Sequence, residues 1–151
     1  MTHYADIPFL GVVEAPASIR SLTDLTRWGE DSRTLLRTEL VQRGALLLRG
    51  FPLATPEDFS ALFASLEPQG GMGYSGGFTV REPVAKAVYT STAAPPMVSI
   101  PLHNEMAYLP DPPDRVYLHC QQPAAKGEQT PVADGRRVLA ALDEGSATFA
   151  T

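Results

Sequence analysis

Helical periodicity in this chain is confined to its first 66 residues and its tail, and the stretch between breaks into short apolar runs set off by glycine and proline. That division limits the fold more than any other feature. From about Thr23 to Arg43, Leu25, Trp28, Leu35, Leu36 and Leu40 recur at mostly helical spacings, and Gly44 is suited to close a helix. Ala45-Leu46-Leu47-Leu48, bounded by Gly44 and Gly50, reads as a buried strand. A second helix is better marked. Thr55 can cap it, Pro56 suits its first position, Glu57 and Asp58 complement its dipole, and Phe59, Leu62, Phe63 and Leu66 form a stripe that predicts a core face. Pro68 to Pro83 has glycines and no period, which predicts a loop. Strands are predicted at about Ala87 to Thr92, Val98 to Leu102, Arg115 to Gln121 and Thr130 to Ala133. In the third of these, Val116, Leu118 and Cys120 share one face and Tyr117, His119 and Gln121 the other. Asp134 can then cap a helix whose apolar face holds Val138, Leu139 and Leu142. Helices followed by strands predict an α+β or mainly β class, with N-terminal helices on a β core.

Within the third quarter of the chain, Ile100-Pro101-Leu102-His103-Asn104-Glu105-Met106 carries an imidazole and a carboxylate two residues apart in an apolar, extended-looking segment. On a strand, side chains at i and i+2 share a face. One nitrogen and one oxygen donor on a single face form two corners of the 2-His-1-carboxylate set that holds non-haem Fe(II) with positions left open. The sequence shows no third corner. His119 lies only sixteen positions after His103 and reads as a packed or surface strand histidine, and His3 sits in a terminus prone to fraying. Ser99 could face a substrate, although a polar residue closing a strand explains it equally well.

Composition narrows what such a site could serve. With 44% apolar and 19% charged residues, the 151-residue chain has the balance of one globular domain. A net charge of -5 and a pI near 5.1, without a Lys/Arg cluster, argue against nucleic-acid or anionic-membrane partners and leave a small-molecule substrate as the expectation. Cys120 is the lone cysteine, so no intrachain disulfide can form. The start lacks the basic and apolar regions of a secretory signal and no apolar stretch is long enough to span a bilayer, which makes a cytoplasmic location the expectation. One decoy falls away on context. Gly71-Met72-Gly73-Tyr74-Ser75-Gly76 matches G-x-G-x-x-G, but the dinucleotide motif needs a strand before and a helix after, and the predicted order here is the reverse.

Four blocks in order carry a family resemblance: Gly44-Ala45-Leu46-Leu47-Leu48-Arg49-Gly50-Phe51, Val88-Tyr89-Thr90-Ser91-Thr92, Leu102-His103-Asn104-Glu105-Met106-Ala107-Tyr108, and Gly127-Glu128-Gln129-Thr130-Pro131-Val132-Ala133-Asp134-Gly135. Together they resemble the Fe(II)/2-oxoglutarate-dependent dioxygenases of the TauD/TfdA superfamily, in particular the clavaminate synthase-like or SyrP-like branch, which uses Glu rather than Asp in the metal motif. The resemblance implies a double-stranded β-helix, or jelly roll, with His103 and Glu105 binding Fe(2+). It also implies that Thr130, 27 residues beyond the histidine, helps hold the distal carboxylate of 2-oxoglutarate. With O2 as the other co-substrate, the implied reaction is decarboxylation of 2-oxoglutarate to succinate coupled to hydroxylation of a small molecule. The SyrP-like character points to an amino-acid-derived substrate in antibiotic biosynthesis.

Family members also continue into further jelly-roll strands that carry the distal iron-binding His and an Arg for 2-oxoglutarate. Residues 1–151 are therefore expected to be the N-terminal portion of a single TauD/TfdA-like domain that lacks those strands. Residues Asp143 to Thr151 show neither helical periodicity nor a family match, as a truncated or frameshifted reading frame would. Unpaired strand edges should then invite self-association, and two ligands alone should leave the isolated chain inactive. Two other functions fit the same residues: a non-catalytic jelly-roll binding module, and a half-enzyme completed by another chain.

Overall fold

The computed structural model describes residues 7–73, 81–91, 97–127 and 129–149. Its first half grows from two parallel strands, β1 (Leu10–Glu14) and β2 (Ala45–Arg49), with Leu10 opposite Ala45 and Glu14 opposite Arg49. Parallel neighbours need a long crossover, and α1 (Leu22–Arg43) supplies it. Ser21 starts this helix through a reciprocal capping box, its hydroxyl accepting from the Asp24 N–H while the Asp24 carboxylate accepts from the Ser21 N–H. Gly44 ends it as expected. At φ 107 its backbone occupies a region that strains side-chain-bearing residues, and its N–H donates to the Leu40 carbonyl at 2.8 Å. β1 is not marked in the sequence, because a five-residue run with glycine at its second position becomes a strand only beside β2. β2 is half-buried rather than buried, since β1 is its one strand neighbour among the described residues.

The second helix, α2 (Pro56–Leu66), begins at Thr55 with the same reciprocal box, now closed by Asp58. Leu62 and Leu66 from its stripe join Leu25 of α1 in the core, and Ile19, Trp28, Leu36, Leu48, Phe51 and Leu53 pack around them. Complete burial of a leucine contributes about 1.5–3 kcal/mol. The two helices can meet closely because residue 29 is glycine: a Cβ there would come within 2.1 Å of the Ser65 hydroxyl. Phe59 and Phe63, on the same stripe, are only half-buried and turn toward later parts of the chain.

Past the loop after α2, whose residues 74–80 lie outside the described ones, β3 (Pro83–Ala85) and β4 (Val88–Tyr89) form a short antiparallel hairpin. The Ser60 hydroxyl of α2 donates to the Lys86 carbonyl in its turn at 2.6 Å. The strand predicted from Ala87 to Thr92 thus shrinks to two residues, with Thr92 outside the described residues. Those predicted at Val98–Leu102, Arg115–Gln121 and Thr130–Ala133 are not formed. Alternation is a local property, whereas a ladder needs a second backbone, and each described sheet holds two strands that include none of these segments. Ile100, Leu102, Val116, Leu118 and Val132 are accordingly exposed.

The last helix, α3 (Gly135–Phe149), starts after Asp134, whose carbonyl accepts from the Arg137 and Val138 N–H groups. It runs to Phe149, which corrects the expectation that residues from 143 onward lack helical character. Its apolar positions Val138, Leu139 and Leu142 are exposed, so the predicted stripe exists but is not covered by the described residues. The architecture is α+β, and the described strands do not build a double-stranded β-helix. No described helix is long and apolar enough to cross a membrane.

Candidate functional site

His103 and Glu105 do come together, by a route other than the strand face expected of them. Residues 101–104 are irregular and lead into a turn over 105–108. The Ala107 N–H donates to the Asn104 carbonyl at 3.3 Å and the Leu109 N–H to the Met106 carbonyl at 3.0 Å. Met106 sits at φ 55, a costly backbone for a non-glycine residue, with its side chain buried beneath the turn. This fold of the backbone leaves His103 Nε2 3.6 Å from Glu105 Oε2.

The tautomer follows from a second contact. His103 Nδ1 lies 2.8 Å from the Pro101 carbonyl, which can only accept, so Nδ1 carries a proton and Nε2 is the nitrogen left to offer a lone pair whenever the ring is neutral. In that form two electron-rich atoms face one another, an arrangement that a cation between them would satisfy. The span of 3.6 Å is within reach of two metal–ligand bonds of about 2.1 Å each. The imidazole is 57% exposed and open to ligands, while the carboxylate is 23% exposed. Nitrogen and oxygen donors thus fit two corners of a non-haem iron site. Among the described residues no group of three or more His, Cys, Asp or Glu side chains gathers to complete one.

The opposite oxygen of the same carboxylate is also engaged. Arg81 donates from its guanidinium to Glu105 Oε1 at 3.0 Å, across 24 residues of sequence. Nothing local in the sequence distinguishes Arg81 from the chain's eleven other lysines and arginines, so its role is visible only in the structure. Thr130 sits exposed on the irregular stretch 129–134 before α3, and no described hydrogen bond joins it to the His103–Glu105 pair. Ser99 is exposed as well, and His3 lies outside the described residues.

Residues 115–119 hold the later chain against α2. Tyr117 meets Phe63 edge-on at 5.3 Å and His119 stacks on Phe59 at 5.1 Å, so of the two expectations for His119, packed or surface, the structure shows a packed ring, although not on a strand. Beneath them, Glu67 accepts from Tyr117 Oη at 2.6 Å, Arg37 at 2.7 Å and Arg115 Nε at 2.9 Å. Burial alone would raise the Glu67 pKa, but the hydrogen bonds from Tyr117, Arg115 and Arg37 outweigh it and hold the carboxyl below its ordinary value. Burial, with the Glu67 hydrogen bond added, pushes the Tyr117 phenol up to about 12.

A family model described as "Taurine catabolism dioxygenase TauD, TfdA family" matches residues 7–149. The chain belongs to the TauD/TfdA family. Because the match reaches 149, the tail after Asp143 does not depart from the family as expected. The chain is 38% identical over 105 residues to the dapdiamide synthesis protein DdaC of Enterobacter agglomerans, covering 70% of the chain and 32% of that protein. It is 32% identical over 135 residues to a clavaminate synthase-like protein of Arabidopsis thaliana, covering 86% of the chain and 41% of that protein. These relatives place it in the clavaminate synthase-like branch of the TauD/TfdA dioxygenases, and it spans well under half the length of either.

Proposed function

We propose that this chain supplies the His103-x-Glu105 corner of an Fe(II)- and 2-oxoglutarate-dependent dioxygenase that hydroxylates a small molecule. The observation that carries the proposal is the approach of His103 Nε2 and Glu105 Oε2 to 3.6 Å with Nδ1 already tied to Pro101. His103 binds the metal through Nε2 and Glu105 through Oε2. The Pro101 carbonyl keeps the imidazole in the tautomer that can ligate, a role commonly filled by a group just outside the coordination sphere. Buried Met106 screens the base of the turn from water. Thr130 offers a hydroxyl donor to the distal carboxylate of 2-oxoglutarate. Iron held there contributes the O2 chemistry that couples 2-oxoglutarate decarboxylation to C–H hydroxylation.

Residues 1–151 form the N-terminal portion of one jelly-roll domain, and another segment supplies the third ligand. The substrate is an amino-acid-derived small molecule of antibiotic biosynthesis, as the SyrP-like motif implies, and similarity to a relative named for dapdiamide synthesis supports a role in making a small molecule. The lone cysteine is in keeping with a cytoplasmic location. Anaerobic titration tests the proposal. With the segment that supplies the third ligand present, a visible charge-transfer band that needs both Fe(II) and 2-oxoglutarate, and is lost in Glu105→Ala, is the expected outcome; a band that survives Glu105→Ala would sink the assignment. The exposed apolar side chains at residues 98, 100, 102, 116, 118 and 132, on segments that pair with no strand among the described residues, in a chain spanning 32% and 41% of its relatives, favour a second reading. In that reading a further polypeptide or a second copy completes the site, and the band develops only when the two are mixed.

A further inference from the structure

Arg81 stands at a place where it could either hinder or help a metal, and the geometry separates the two. Its positive charge repels a cation, which would make the Arg81–Glu105 pair a competitor to be displaced. Its N–H groups can instead fix a carboxylate so that one oxygen stays aimed. Arg81 takes Oε1 at 3.0 Å, and Oε2 is the oxygen that faces His103 at 3.6 Å, so the guanidinium and the imidazole divide the carboxylate between them. Both partners are largely shielded, with Arg81 20% and Glu105 23% exposed, which makes the pair less screened than an ordinary surface ion pair.

The arginine is also held from behind. Its neighbour Glu82 donates its N–H to the Thr90 hydroxyl at 3.0 Å, and the Thr90 N–H returns to the Glu82 carbonyl at 2.9 Å. These bonds clamp the foot of the β3–β4 hairpin, and Ser60 anchors its turn to α2. The donor that meets Glu105 is therefore mounted on a braced element, which suits orientation better than displacement.

We infer that Arg81 is a positioning residue that occupies Glu105 Oε1 and presents Oε2 as a single-oxygen metal ligand, the pair persisting when metal is bound. The inference rests on the metal-binding reading of His103 and Glu105. Groups just outside a metal's ligand sphere typically change affinity 10–100-fold when removed.

Mn(II) binding by the full chain, followed through loss of the free-ion electron paramagnetic resonance signal, gives a readout that does not need turnover and registers weak sites. Wild type is compared with His103→Ala/Glu105→Ala, Arg81→Met and Arg81→Lys. Arg81→Met, which keeps the volume but loses the donor, is expected to weaken binding at least tenfold, and Arg81→Lys, which keeps reach and one donor direction, to recover most of it. Equal or tighter binding by Arg81→Met overturns the inference while leaving the metal reading intact. No difference between wild type and the double variant overturns both. A second measurement needs no substitution at residue 81: nitrogen-15 resonances of the Arg81 guanidinium are followed as Zn(II) is added to wild type. Persistence of the slowed, bonded signal supports positioning, and its release on metal addition overturns it.

Discussion

The α1–α2 half and the segment from residue 97 to 134 have similar shares of apolar side chains but use them in opposite ways. In the first, leucines from two capped helices close over one another, and Leu25 is 0% exposed. In the second, valines and leucines point outward, Leu118 being 69% exposed, and aromatic and polar groups do the anchoring through Tyr117, His119 and Arg115. The candidate metal pair lies in this second region, on a turn braced by Arg81. A folded α-helical base can thus carry a candidate site whose backbone joins no sheet among the described residues, provided a few directional contacts fix its side chains.

Truncation at one leucine in each region should break the comparison most sharply. Leu25→Ala removes contacts on every side and is expected to cost about 2–5 kcal/mol. Leu118→Ala removes a side chain already in water and should stay within about 0.5 kcal/mol of wild type. Denaturant midpoints of the two variants check this directly; comparable losses would mean that Leu118 is covered in solution, by a second copy or another chain.

Next in size is the junction itself. Glu67→Gln takes the charge from a carboxylate whose side chain is 9% exposed and which accepts from Arg37, Arg115 and Tyr117. A loss of about 1–3 kcal/mol is expected. The pH dependence has two sides. Glu67 has a lowered pKa in the folded chain, so its contribution is present above the ordinary carboxyl value and is lost as pH falls through the lowered one. Tyr117 is raised to about 12, so its contribution is present below the ordinary 10.0 and is lost as pH rises through about 12. Stability measured across pH should therefore show a shallower acid-side slope in Glu67→Gln, the lowered carboxyls of Asp24, Asp58 and Asp134 keeping part of it, and a shallower alkaline slope in Tyr117→Phe.

This contrast also explains what the sequence could reveal. The helices were legible because their determinants are local: Thr55, Pro56 and Asp58 act within one turn, and Gly44 acts on its own backbone. The strands were not, because Val98–Leu102 and Arg115–Gln121 have the alternation of strands but no strand partner among the described residues, while Leu10–Glu14 becomes a strand only through β2. At the site, the pairing of His103 with Glu105 could be anticipated from their spacing, although a turn at Met106 rather than a strand brings it about. Arg81 could not, since its partner lies 24 residues away and no periodicity connects them.

The smallest of these expected effects concerns the element shared by both regions. α2 gives Leu62 and Leu66 to the core, Phe59 and Phe63 to the aromatic contacts with His119 and Tyr117, and Ser60 to the hairpin that carries Arg81. Thr55→Ala removes the hydroxyl that accepts from the Asp58 N–H and should cost about 1 kcal/mol. Ser21→Ala breaks the corresponding cap on α1 at a comparable cost. The two variants should nevertheless differ under amide hydrogen exchange, because α1 does not carry the aromatic contacts to residues 117 and 119. Thr55→Ala is expected to speed exchange in the hairpin at 83–90 and around 117–119 as well as in α2, whereas Ser21→Ala should act mainly on the first turns of α1. Equal spreading from both would place the two halves in one cooperative unit, and the site would then draw its rigidity from the leucine core rather than from α2.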